Sequence, residues 1–151
     1  MNFKASQIAH LQRNLRNKVT SFEAVAEQAL KTAHGTACQN AFIHINDEAV
    51  LPHAKAFDQL ALVGAPTGAL VGVPVTVKDL FDVAGQATMS GSVVAKGEPI
   101  PETDAVAVKR LRDANAMVIG RTNMTEFAFS GVGINPHWGT PHNPEIGRAH
   151  V

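Results

Sequence analysis

Gly72-Val73-Pro74-Val75-Thr76-Val77-Lys78-Asp79 is the stretch whose reading decides the fold. Val73, Val75 and Val77 are β-branched, and Pro74 near the start fits a strand entered through a turn. The run delivers a single lysine to its C-terminal end. Ligands in open α/β sheets gather outside the carboxyl ends of the strands. A lysine there, beside apolar surface, can lose enough hydration to become neutral and act as a base. The other reading is an ion pair between Lys78 and Asp79 or another surface carboxylate. On these residues alone both stand, and ion pairs are the commoner outcome.

Downstream of this run the pattern is that of a βαβ unit. A connection rich in Gly and Ser leads to Thr103, which is expected to cap a helix. In that helix Ala105, Val108 and Leu111 face inward while Lys109, Arg110 and Asp113 face water. Asn115 stands where a left-handed residue is wanted to end it. Ala116-Met117-Val118-Ile119-Gly120 reads as a second buried strand, parallel to Val73–Val77 through a right-handed crossover. Thr122-Asn123-Met124-Thr125-Glu126 reads as another helix start with Asn123 capping, and from Gly131 the composition is that of a loop.

Upstream, the chain reads as helices. Ile8, Leu11 and Leu15 recur at helical spacing over Ser6 to Asn17. Thr20-Ser21-Phe22-Glu23 has the form of a capping box, with Thr20 as the cap. The helix it opens places Phe22, Val25, Ala26, Ala29 and Leu30 on one face and stops at Gly35. Asn40–Asn46 reads as a short strand. Asp47 to about Leu62 reads as a weaker helix, in which Pro52 is tolerable only in a first turn. Gly64 to Gly68 is a loop.

Composition narrows the function classes. At 151 residues the chain can bury one real core, and its 13 basic and 13 acidic residues cancel without forming a stripe or block. Direct nucleic-acid or anionic-membrane binding therefore has no electrostatic support. No segment is long and apolar enough for a membrane span or a signal peptide, so a soluble, cytoplasmic protein is expected. Cys38 is the single cysteine, which excludes an internal disulfide framework and favours a buried structural thiol. His137 and His142 are separated by Gly139 and Pro141 and cannot share a helical face, so they read as loop residues. Gly131-Val132-Gly133-Ile134-Asn135-Pro136 starts like a dinucleotide fingerprint, but has Pro136 where the third glycine belongs. Ser90, Ser92 and Ser130 sit in glycine-flanked turns where serine is ordinary, and none forms a Gly-x-Ser-x-Gly elbow. The residues alone show no complete catalytic set.

The order of segments says more. Gly72–Asp79 is followed by Thr88-Met89-Ser90-Gly91-Ser92, then by Asp104-Ala105 before an amphipathic helix. Next comes Gly120-Arg121-Thr122-Asn123-Met124-Thr125-Glu126-Phe127-Ala128, and finally Trp138-Gly139-Thr140-Pro141 with Asn143-Pro144. This succession over residues 40–144 resembles the amidase signature family, up to the edge of that family's Gly/Ser-rich signature. The resemblance implies the N-terminal part of an α/β/α sandwich with a mixed central sheet, incomplete here. It implies an amidase-type hydrolase that cleaves a carboxamide C–N bond with a Ser–Ser–Lys triad and requires no metal or organic cofactor. By motif match Lys78 is the catalytic lysine, and Asp79 is a structural partner rather than a second base. Ala128 and Phe129 correspond to a stretch that lines the acyl pocket, with ordinary core packing as their alternative.

Both serines of the triad belong to the signature expected after Asn143-Pro144. Here the chain reads Glu145-Ile146-Gly147-Arg148-Ala149-His150-Val151 instead. Residues 1–144 are accordingly expected to be part of one amidase domain, and 145–151 a non-native tail such as a translated sequencing adapter. The piece is expected to be inactive alone, since it brings the lysine but no nucleophile. Two alternatives accompany this reading. One is the glutamine-amidase subunit of a tRNA-dependent amidotransferase, with partner subunits, and the other is a non-catalytic binding or scaffold protein of the same fold.

Overall fold

The structure, a computed structural model, describes residues 7–65 and 68–143. In chain order its main elements are α1 (Gln7–Arg16), α2 (Phe22–Ala33), β1 (Phe42–Ile45), α3 (Asp47–Leu62), β2 (Pro74–Lys78), α4 (Val106–Asp113) and β3 (Met117–Thr122). Pro66 and Thr67 of the expected loop, and the 145–151 segment, lie outside the described residues.

The strands form a mixed sheet in the order β1-β3-β2, with β3 central. The valine run pairs parallel with β3, as the βαβ reading expects, and β1 closes the other side antiparallel. Side chains of a strand alternate between faces, and β3 uses both. Met117 and Ile119 join Leu15, Phe22, Ala26, Leu30, Val50 and Phe57 in a core built with α1, α2 and α3. Val118 packs against a second core of Val77, Val83 and Val108, which brings in α4. The result is α/β, with a three-stranded mixed sheet between helical layers. Pairing of β2 with β3 runs Pro74↔Met117, Val75↔Val118, then Thr76↔Gly120 and Lys78↔Thr122, so β3 carries one extra residue, Ile119. No helix among the described residues is long and apolar enough to cross a membrane.

Several local expectations shift. The cap of α2 is Ser21, not Thr20: its Oγ accepts the Ala24 N–H at 3.0 Å. The Phe22 and Glu23 amides donate to the Asp58 carboxylate on α3, each at 3.0 Å. A distant carboxylate thus takes the orphan donors of the helix start, an arrangement the helix dipole also favours. Gly35 lies beyond α2, at an ordinary φ of −73°, and opens a 3-10 turn at Thr36–Cys38. Pro52 sits inside α3 rather than in its first turn. It is exposed, as is Glu48, whose carbonyl loses its helical donor there and can bond water instead. Thr103 caps nothing. The flanking residue of α4 is Ala105, whose N–H donates to the Asp82 carbonyl, while Asp104 accepts from Ala84 N–H and pairs with Arg112. Asn115 does take the left-handed conformation, φ +61°. Cys38 is half-buried, not buried.

Gly72, which leads into β2, has φ +68°, and a Cβ there would lie 2.2 Å from the Phe22 ring. Gly72→Ala therefore combines a disfavoured backbone with overpacking and is expected to lower stability by about 1–3 kcal/mol. Urea denaturation of the variant against wild type measures it.

Candidate active site

Lys78 closes β2 opposite Thr122, where two parallel strands end together. Its side chain is exposed, and among the described residues it enters no ion pair. The neighbouring carboxylate is not its partner. Asp79 is fully buried; its Oδ1 accepts from Arg121 Nε at 3.0 Å and lies 2.9 Å from Nη2 in the same ion pair. Oδ2 takes the Gly91 N–H at 2.9 Å, and Met89 N–H approaches Oδ1 at 3.4 Å. Arg121, 1% exposed, also donates to the Phe81 carbonyl at 3.0 Å. Asp79 is thus committed to Arg121, and the ion pair open to Lys78 on the residues alone is not formed.

This pair holds the 79–92 segment against the ends of β2 and β3. Within it, Ser90 N–H donates to the Asp79 carbonyl at 3.0 Å, and the Ser90 carbonyl accepts from Phe127 N–H at 2.8 Å. Those two bonds bring the 126–129 segment to the same end of the sheet as Lys78. Gly91 at φ +69° permits the close approach, since a Cβ there would meet the Met124 carbonyl oxygen at 2.6 Å. Asn135, 2% exposed, binds the layers: its Nδ2 donates to the Gly91 and Met124 carbonyls, each at 2.7 Å. Its Oδ1 accepts from His137 and Trp138 N–H.

No helix starts at Asn123. Its amide donates to the Asn40 and Gly139 carbonyls, and the chain instead makes a single 3-10 turn, Glu126–Ala128. Ser92, far from an ordinary turn serine, is fully buried and donates to Glu126 Oε1 at 2.6 Å, which also faces His137 Nε2 at 3.0 Å. The Ser92 bond first, and His137 second, hold the Glu126 carboxyl below its ordinary value. Ala128 and Phe129 follow directly. Both are exposed in this chain, Phe129 at 93%. An apolar groove of about 580 Å3, lined by Ala24, Gln28, Cys38, Phe42, Val75 and Ile119 among others, includes none of Lys78, Ala128 and Phe129. Among the described residues no group of three or more His, Cys, Asp and Glu is placed to hold a metal ion.

Residues 23–146 match the family model described as Amidase. The chain belongs to the amidase family. Over 94 residues it is 45% identical to 2-amino-5-chloromuconic acid deaminase of Comamonas testosteroni, covering 60% of this chain and 20% of that protein. Over 105 residues it is 40% identical to the A subunit of glutamyl-tRNA(Gln) amidotransferase from Salinispora arenicola (strain CNS-205), covering 70% and 21%. Among solved structures it superposes, with TM-score 0.87 and 34% identity, on a chain of the complex described as an unexpected vestigial protein complex revealing the evolutionary origins of an s-triazine catabolic enzyme. That match covers 93% of this chain and 31% of the other. The chain thus spans about a fifth to a third of the length of these relatives. Its homologues are amidase-family hydrolases and amidotransferase A subunits.

The interior pairs left traces in the sequence. Arg121 interrupts an otherwise apolar run, and a charge at that position of a buried strand requires a carboxylate. Asp79→Asn leaves Arg121 uncompensated and is expected to cost about 3–5 kcal/mol in urea denaturation. Glu126, with its folded carboxyl held below 4.5, adds stability above that value and loses it as pH falls through the folded value. In acid titrations followed by circular dichroism, Ser92→Ala should shrink that acid-side loss.

Proposed function

We propose that this chain is the lysine-bearing part of an amidase that hydrolyses a carboxamide C–N bond in a small-molecule substrate, and that Lys78 is its general base. The observation that carries the reading is the placement of Lys78 at the carboxyl end of β2, with its neighbouring carboxylate sequestered by Arg121. A lysine acts as a base only when neutral, and a carboxylate held close by would keep it charged. Committing Asp79 to Arg121 removes that obstacle.

In this reading neutral Lys78 takes a proton from a bridging serine, which takes one from the nucleophilic serine as that oxygen attacks the carbonyl carbon. The lysine later helps return a proton to the leaving amine. Both serines would come from the family's Gly/Ser-rich segment rather than from Ser90 or Ser92, since Ser92 is already bound to Glu126. Ala128 and Phe129, at the same end of the sheet, would line the acyl side of the pocket. The setting would be cytoplasmic, and residues 145–151 would take no part.

Lys78→Arg in the full-length enzyme tests the base. Arginine keeps the charge but stays protonated at working pH, so kcat should fall by about 10²–10⁴-fold. Near-normal turnover would show the proton-transfer role to be wrong. Residues 1–151 alone should release no ammonia from simple amides above a Lys78→Ala control.

The similarity to the A subunit of glutamyl-tRNA(Gln) amidotransferase favours a second reading, in which the amide is glutamine and the ammonia passes to a partner protein. Glutamine-dependent ammonia release that rises when partner subunits are added would support it.

A further inference from the structure

Three segments meet at the Glu126 carboxylate. Its Oε1 accepts from Ser92 Oγ at 2.6 Å, and His137 Nε2 lies 3.0 Å from the same oxygen. Ser92 is fully buried, and its Oγ also accepts the Val94 N–H at 3.1 Å, so both its roles are used. An O–H···O⁻ bond of this length is charge-assisted and among the stronger ones a serine can make. Behind it, His137 is held by its own N–H to Asn135 Oδ1, which keeps the 131–140 loop in place.

The turn beyond Glu126 needs such support. Phe127 and Ala128 have φ of +50° and +54°, a region that non-glycine residues keep only when their surroundings over-determine it. Burial does not supply this: Phe127 is 57% and Phe129 93% exposed. The remaining constraints on the turn are hydrogen bonds, namely Phe127 N–H to the Ser90 carbonyl, the turn's own bonds and the two at Glu126.

We propose that Glu126 is a positioning residue for substrate selection: by tying the Glu126–Ala128 turn to Ser92 and to His137, its carboxylate fixes where Ala128 and Phe129 stand at the Lys78 end of the sheet. The inference rests on the amidase reading for its effect on substrates, but the tie itself does not. Removing it loosens the wall that meets the acyl group and leaves the lysine and its Asp79–Arg121 support untouched. Binding of bulky acyl groups suffers, and the chemical step does not.

The test uses the full-length enzyme with acetamide and phenylacetamide as small and bulky substrates. Glu126→Ala should raise KM for phenylacetamide about tenfold, with kcat for either amide within about twofold of wild type. Glu126→Gln should recover most of the loss, because its amide oxygen can still accept from both Ser92 and His137. Hydrogen exchange supplies a readout free of activity: Glu126→Ala should speed exchange in segments 92–94 and 126–129 while β3 keeps its protection. Should Glu126→Ala not fold, Ser92→Ala carries the same expectation at smaller size. Unchanged exchange in both segments, or equal loss on both amides through kcat, overturns the proposal. Wild-type protein that hydrolyses no amide overturns the amidase reading instead, and exchange alone then decides the tie.

Discussion

A guanidinium inside the central strand is the constraint around which this structure is arranged. Arg121 sits in β3 at 1% exposure, where its charge is tolerable only with a carboxylate in contact. Asp79 supplies it, and doing so pulls the chain beyond β2 back across the strand ends. The Phe81 carbonyl and the Met89 and Gly91 amides then fall into place around the pair. Such a pair adds little net stability over an apolar substitute. Its effect is geometric: two strand ends and a loop share one arrangement, and Lys78 is left facing outward with no counter-charge among the described residues.

Beyond that point the chain changes its manner of packing. The helices and sheet are held largely by apolar burial, but residues 122–140 are held by hydrogen bonds, many of them from amide side chains. Asn123 reaches the Asn40 and Gly139 carbonyls, and Asn135 serves four main-chain groups from a buried position. Each such bond contributes about 1 kcal/mol, yet leaving one partner buried and unmet costs more. Loops built this way tolerate little change in the polar residue, such as Asn135 at 2% exposure.

The same change in packing explains what could be read from the residues. Elements governed by period and turn chemistry were legible: the valine strand, its parallel neighbour, the helices over Gln7–Arg16 and Phe22–Ala33, and the left-handed Asn115. Position within the local pattern was less so. Thr20 and Ser21 are equivalent as caps until Asp58, more than thirty residues away, claims the first amides of the helix. Asn123 looks like a cap until its amide is drawn to Asn40. Lys78 was legible as a strand-end lysine, and the succession of motifs is what proposes it as the family's lysine. Its isolation was hidden, because nothing local indicates that Asp79 turns inward to a residue 42 positions later. Ser92 was hidden for the same reason: its glycine-flanked setting is a turn signal, and only tertiary packing buries it against Glu126.

The extra residue on β3 gives the sheet a phase. Pairing advances in step from Pro74↔Met117 to Val75↔Val118, skips Ile119, and resumes at Thr76↔Gly120. Continued without the skip, the ladder would set Lys78 directly across from Arg121, two cations facing each other on neighbouring strands, an arrangement that destabilises a sheet. With it, Lys78 meets Thr122 and Arg121 is opposite Val77. One inserted residue therefore works as a charge separator. It assigns the guanidinium to the interior and its carboxylate, and the lysine amine to the open end of the sheet.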